Sequence, residues 1–187
     1  MQLSINQRYF PVVKDRKEQF IELYEPVHTN FCRYCRAISG NTRDAEDLVQ
    51  DSILSVLESF DKIRDLSFFK SYLFSVASNL NKMKRRRLKF KAEFKEDELN
   101  KIMDFTHNQE YITDFKIIYE KMLSLPQKMA ESMILFHISD LSLEEIQKIQ
   151  GGSLSGVKLR LKRGREKLLS LLITPEQLKI AIILFSF

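Results

Sequence analysis

Residues 141–169 allow little other than two helices joined by a tight turn. In Leu141-Ser142-Leu143-Glu144-Glu145-Ile146, Ser142 stands three residues before Glu145. That is the capping-box spacing, in which each side chain satisfies a backbone N–H at the start of a helix. Leu141 and Ile146 flank the cap at the positions of a hydrophobic staple. Gly151-Gly152 ends the helix, and Ser153 can cap the next one. On that second helix Leu154, Val157, Leu161 and Leu168 share one side, while Ser155, Leu159, Lys162 and Arg163 share the other, flanked by Lys158 and Arg160. A helix, a tight turn and an amphipathic helix with a cationic outer face make a helix-turn-helix, whose second helix can lie in a DNA major groove. The alternative is an ordinary helical hairpin with a solvated basic face. The nearly single sign of the outer charge favours DNA.

The rest of the chain reads as helices too. Five glycines and four prolines in 187 residues, with 44% hydrophobic residues, leave few breakers and ample apolar mass. No strand-like alternation with hairpin turns stands out, so the expected fold is all-α. The chain has no secretory signal pattern and no apolar run of membrane-spanning length, and its two cysteines, Cys32 and Cys35, sit too close for a disulfide framework. These features point to the cytoplasm. The net charge of +5 is concentrated rather than spread: residues 82–91 hold seven basic residues and no acidic one, and residues 158–187 hold seven against two. Two separated cationic islands suggest two contacts with one long polyanion.

In chain order, Pro11 suggests an irregular lead-in, and from Lys17 the residues Phe20, Leu23, Tyr24, Val27, Phe31, Tyr34, Cys35 and Ile38 recur at helical spacing, with Pro26 marking a bend. His28, Cys32 and Cys35 offer three metal ligands, but structural zinc normally needs four, so the cysteines read as small helix residues. A helix over about 43–60 follows, with Ala45, Leu48, Val49, Ile53, Val56, Leu57 and Phe60 inward and Asp47, Gln50, Asp51, Leu54 and Glu58 outward. The outer face is either a solvated acidic surface or a protein-docking surface around Leu54. A helix over about 67–87 turns Phe69, Tyr72, Leu73, Val76, Ala77 and Leu80 inward and leaves through Asn79, Asn81, Lys82 and Lys84-Arg85-Arg86-Arg87. Phe68 and Phe74 lie off that stripe. They either stack on single-stranded bases beside the cations or belong to the core.

Residues 91–112 read as a flexible linker with some helix, long enough for two modules to reach separate DNA sites. Asp114 to Leu123 opens a second module, Pro126 starts its next helix, and His137 reads as a packed or surface histidine. Beyond Pro175 an apolar tail ends Ile182-Ile183-Leu184-Phe185-Ser186-Phe187, expected to pack back on that module, with a partner-binding patch as the alternative.

The segment Asp44-Ala45-Glu46-Asp47-Leu48-Val49-Gln50-Asp51, followed by Phe69-x2-Tyr72-Leu73-Phe74-x2-Ala77-x-Asn79 and the basic run, resembles region 2 of bacterial sigma factors. Leu125-Pro126, the capped Leu141–Ile146 segment and Val157-Lys158-x-Arg160-Leu161-x-Arg163-Gly164-Arg165 resemble region 4. Nothing substantial lies between them, as in the extracytoplasmic-function (ECF) group of the sigma-70 family. The chain departs from the family pattern at Tyr72 (usually tryptophan), Met83 (usually polar), Gln147 (usually alanine) and Gly156 (usually threonine). A glycine at 156 weakens the helix by about 1 kcal/mol relative to alanine and removes a DNA contact.

The resemblance implies two small helical modules: a region 2-like domain over 10–90 and a region 4-like helix-turn-helix domain over 113–172, with 91–112 between them and a tail at 173–187. It implies a transcription initiation factor, not an enzyme, whose partners are core RNA polymerase, promoter DNA and an anti-sigma factor. No cofactor, metal or small-molecule substrate is expected. Asp44, Asp47, Gln50, Asp51 and Leu54 would dock the polymerase clamp. Tyr72, Phe74, Asn79, Lys82, Arg85, Arg86 and Arg87 would hold the melted downstream promoter element. Ser153, Ser155, Lys158, Leu159, Arg160, Lys162 and Arg163 would read the upstream element as duplex, with Leu159 against a thymine methyl. Two rivals stand beside this reading. One is a stand-alone helix-turn-helix regulator that dimerises and binds a palindrome. The other is a metal-dependent enzyme using the carboxylates at 44–51.

Overall fold

The structure, a computed structural model, describes residues 15–88 and 109–185. Among these residues every regular element is a helix, as the pattern predicts. Pro11 and the linker as far as residue 108 lie outside the described residues. From Gln109, inside the stretch read as linker, the chain is helical.

The first module holds α1 (Arg16–Tyr24), α2 (His28–Ser39), α3 (Thr42–Glu58) and α4 (Phe69–Leu88). Pro26 sits in a single 3-10 turn between α1 and α2, where its missing N–H costs no helical bond. Asn41 caps α3 by accepting from the Asp44 N–H at 2.7 Å. An aromatic cluster closes the module: Phe20 meets Phe60 and Phe69 edge-on, and Phe31 meets Phe74 at 5.2 Å between ring centres. Two expectations for α4 are corrected here. Phe74 is fully buried against Phe31 and Tyr34, because α2 covers a second side of α4, so the ring is core and offers no face to a base. Tyr72, read as inward, is instead 37% exposed, with its hydroxyl 3.0 Å from Ser59 Oγ.

The second module holds α5 (Gln109–Leu123), α6 (Gln127–His137), α7 (Leu143–Gln150), α8 (Leu154–Ser170) and α9 (Pro175–Phe185). Pro126 precedes α6 as expected, and its carbonyl accepts from the Met129 and Ala130 N–H groups. Helix α8 lies close on α6 because Gly164 has no side chain. A Cβ there would come within 3.0 Å of Met133 Sδ and 3.1 Å of Met129 Cγ. The apolar tail forms α9 and packs on α5 and α8, with Ala181 and Phe185 buried. His137 lies between the Phe136 and Phe185 rings. Burial and the nearby Arg165 charge pull its pKa down to about 4.

The modules are docked against each other, α2 on α6 and α4 on α7. At the seam lies Glu131 of α6, 8% exposed. Its carboxylate accepts hydrogen bonds from Tyr34 Oη at 3.1 Å and from Ser78 Oγ, and Lys82 Nζ stands 3.4 Å away. Nearby, the Tyr119 hydroxyl donates to the Ala37 carbonyl across the same seam.

Candidate nucleic-acid interface

Three surfaces collect most of the residues singled out by sequence. On α3, Asp47, Gln50, Asp51, Leu54 and Glu58 are all exposed and follow helical spacing, so they form one face. Leu54, 57% exposed, is its apolar centre. Asp44 does not join that face. Lys84 Nζ of α4 holds its carboxylate at 2.7 Å and Asn41 Nδ2 donates to it at 2.9 Å. Partial burial raises the Asp44 pKa, but those bonds outweigh it and leave the group below the usual carboxylate range. Asp44 therefore fastens the start of α3 to α4, where sequence reading expected it to meet polymerase.

On α4, the residues Tyr72, Asn79, Met83 and Arg86 are exposed along one stripe, with Arg85 exposed beside it. Phe74 is absent from the stripe for the reason given. The Lys82 ammonium is drawn to Glu131 at the seam. Arg87 belongs to α4, but its side chain lies outside the described residues. Phe68, 46% exposed, carries the Lys148 ammonium 4.6 Å above its ring centre.

The helix-turn-helix is built as its sequence predicts. Ser142 Oγ accepts from the Glu145 N–H at 3.2 Å, while Glu145 Oε2 accepts from the Ser142 N–H at 2.8 Å. Leu141 and Ile146 are both buried beneath the cap. Gly151 and Gly152 take φ values of 70° and 89°, which a side chain would strain, and Gln147 Nε2 closes the turn on the Gly152 carbonyl at 2.9 Å. Ser153 caps α8 through the Gly156 N–H at 3.1 Å. A Cβ on Gly156 would stand 3.2 Å from that same Ser153 Oγ, so the glycine gives the cap room. The hydroxyl of Ser153 is thus engaged in capping, with Ser155 Oγ 3.0 Å from it.

From there α8 presents Ser155, Lys158, Leu159, Lys162 and Arg163 outward. Leu159 is 44% exposed, an apolar spot on a cationic face. Arg160 turns away from this face: its Nε donates to Ser132 Oγ of α6 at 3.3 Å and one guanidinium nitrogen is buried, so it braces α8 against its own module. Chemically, the arrangement is suited to recognition, with cations for phosphates and short polar or apolar side chains at a helix start for base edges.

Sequence reading missed the seam. Lys70 Nζ pairs with Glu145 Oε1 at 2.9 Å and Arg33 approaches Asp140 at 3.7 Å. Ser71, Ser75 and Ser78, small residues one turn apart on α4, were the local hint of a helix approaching there. The three candidate metal ligands gain no support: among the described residues no group of three or more His, Cys, Asp or Glu side chains is placed to hold an ion. His28 Nδ1 bonds with the Tyr24 hydroxyl at 2.9 Å, and Cys35 is buried in the core with its thiol pKa pushed up by desolvation. Among the described residues no helix is long and apolar enough to cross a membrane.

Comparison with known proteins agrees with this layout. Residues 23–90 match the Sigma-70 region 2 family and residues 115–168 match Sigma-70 region 4. The chain is 26% identical over 181 residues to the ECF RNA polymerase sigma factor SigW of Bacillus subtilis, spanning 90% of this chain and 96% of that one. It is 31% identical over 160 residues to the RNA polymerase sigma factor SigV of the same organism, spanning 80% and 87%. In fold it resembles the sigma factor RpoE in its complex with the anti-sigma factor NepR from Bartonella quintana. The TM-score is 0.61 at 24% identity, over 90% of this chain and 99% of that one. Relatives matched along both modules remove the stand-alone regulator from consideration: this chain belongs to the ECF group of sigma-70 family RNA polymerase sigma factors.

Proposed function

We propose that this sigma factor directs core RNA polymerase to promoters through a division of labour among three helices. The exposed face of α3, with Asp47, Gln50 and Asp51 around Leu54, docks the polymerase clamp. The α4 stripe of Tyr72, Asn79, Arg85 and Arg86, together with Arg87 next in sequence, holds the melted downstream strand, with Asn79 reading a base and the arginines tracking phosphates. The α8 face reads the upstream element as duplex. Lys158, Lys162 and Arg163 supply salt-dependent phosphate affinity, while Ser155 and Leu159 meet base edges. The work is done in the cytoplasm, by binding rather than by bond-making chemistry. An anti-sigma factor is the natural regulator, by analogy with the RpoE–NepR complex.

The observation that carries this reading is the one-sided α8 face: five outward residues, three of them cationic, on a helix whose other side is held by α6 and α7. Run-off transcription with purified core polymerase over a promoter library tests it. Start sites that appear only when the chain is added, and that share an upstream and a downstream element, are the expected result. A chain that leaves the polymerase's start sites unchanged contradicts it.

A further inference from the structure

Helix α9 packs on α8 without filling the space between them. Arg165 Nη1 of α8 donates to the Phe185 carbonyl at 3.1 Å and so ties down the last turn of α9. Beside that tie lies an open groove of about 370 Å³. Its lining is apolar: Leu168, Ala181 and Phe185 are buried, Leu169 is half-buried, and Ile182 is 54% exposed. Its rim is cationic on balance, with Lys162 and Arg165 against one acid, Glu166. The Lys162 ammonium stands 3.9 Å from the Glu166 carboxylate, and the two side chains are 70% and 61% exposed. A pair that long and that solvated does little to neutralise the lysine. The groove therefore joins an apolar slot to a positive mouth.

Size separates the occupants such a slot could take. Its volume is at the small end of ligand sites, which run from roughly 300 to 1,000 Å³. On the α9 side the lining spans only Ala181 to Phe185, little more than one turn. A docked helix needs anchors over two turns, at i, i+3, i+4 and i+7, so a partner helix is too large. A single alkyl chain fits the slot, and an anionic head group fits the mouth. Lys162 also belongs to the outward face of α8 assigned above to duplex DNA, so an anion seated there competes with phosphate for it. We propose that the α8–α9 groove binds a single-chain anionic amphiphile of the fatty-acid carboxylate class, whose head group pairs with Lys162 and Arg165 and weakens the hold of α8 on duplex DNA. The effect on DNA rests on the reading of α8 as the duplex helix; the site itself does not.

Two experiments on the full chain test this. In calorimetric titration without DNA, sodium dodecanoate below its micelle concentration should bind saturably at one site, and each pair of methylenes removed from the chain should weaken binding roughly tenfold. Dodecyltrimethylammonium, with the same chain and the opposite charge, should bind roughly tenfold more weakly. Ile182→Glu places a carboxylate in the slot and should abolish dodecanoate binding. Ile183→Glu, at a side chain 78% exposed that does not line the groove, should leave it unchanged. In filter binding, saturating dodecanoate should weaken the hold of the wild type on a duplex carrying the upstream element about threefold, and should have little further effect on Lys162→Gln. Failure of dodecanoate to saturate overturns the site, and so does equal loss from Ile182→Glu and Ile183→Glu, which would mean general adsorption. Binding that appears only in Phe187→Ala gives the groove to the chain's own Phe187 and overturns it as well. Dodecanoate that binds without changing duplex affinity, while Arg163→Ala still lowers that affinity, overturns the competition for Lys162. If Arg163→Ala is silent too, the duplex assignment of α8 falls and the competition with it, while the site stands.

Discussion

The two helices proposed to face DNA are handled in opposite ways. Helix α8 is held from behind: Val157, Leu161, Gly164 and Leu168 are buried, Arg160 braces it against α6, and the Lys158, Leu159, Lys162 and Arg163 face points outward. Helix α4 is held on both flanks. Phe74 is enclosed by α2, Lys84 is tied to Asp44, and Lys70 and Lys82 are tied to the other module, leaving the narrow stripe from Tyr72 to Arg86. A duplex offers a wide groove that a complete helix face can enter; a melted strand needs only a ribbon of contacts.

The largest effect expected from breaking this contrast is at Phe74. Phe74→Ala should cost about 3–5 kcal/mol of stability by emptying the centre of the first module. Chemical denaturation checks it, and a variant of wild-type stability with weakened DNA binding would return the ring to the strand-reading surface. At the other helix, Arg163→Ala should weaken upstream duplex binding by about 1 kcal/mol and reduce the salt dependence by about one counterion, with polymerase affinity unchanged. Asp51→Ala should do the reverse, and filter binding beside polymerase pull-down separates the two.

How far sequence reading reached follows the range of the interactions. The Ser142–Glu145 box, the Leu141–Ile146 staple and the paired glycines at 151 and 152 are set by residues within a turn of each other, so spacing alone placed them. Phe74 could not be placed that way. A helix packed by two neighbours buries a wide arc, and nothing within α4 says that α2 covers the side carrying Phe74. The seam was harder still, because Lys70 and Glu145 meet across 75 positions of chain and each looks like an ordinary solvated charge. Asp44, Lys82 and Arg160 have intramolecular partners that stayed hidden for the same reason: charge is read from sequence, but not the partner that occupies it.

A further effect concerns acid. Folding keeps His137 neutral, with a pKa near 4 in place of 6.5, so the unfolded chain takes up the proton first as pH falls. The stability this group contributes is present above pH 6.5 and is lost as pH drops toward 4, about 2 kcal/mol between pH 7 and pH 5. His137→Leu should remove that part of the slope in thermal melts at the two pH values. The loss due to Asp44 and Glu145, whose folded-state pKa values are lowered, should remain at lower pH. An unchanged slope would mean that the ring is hydrated in solution. The smallest change is expected from Tyr72→Phe, which forfeits the hydroxyl contact to Ser59 and should cost about 0.5–1 kcal/mol.

The central claim is that one polypeptide reads one promoter in two forms, duplex through α8 and melted strand through α4. Run-off transcription from a randomised promoter library with core polymerase, comparing wild type, Asn79→Ala and Lys158→Ala/Arg163→Ala, tests it most directly. The predicted outcome is that Asn79→Ala relaxes selection only in the downstream element and the double variant only in the upstream one. Identical shifts in both elements from either variant would contradict the account.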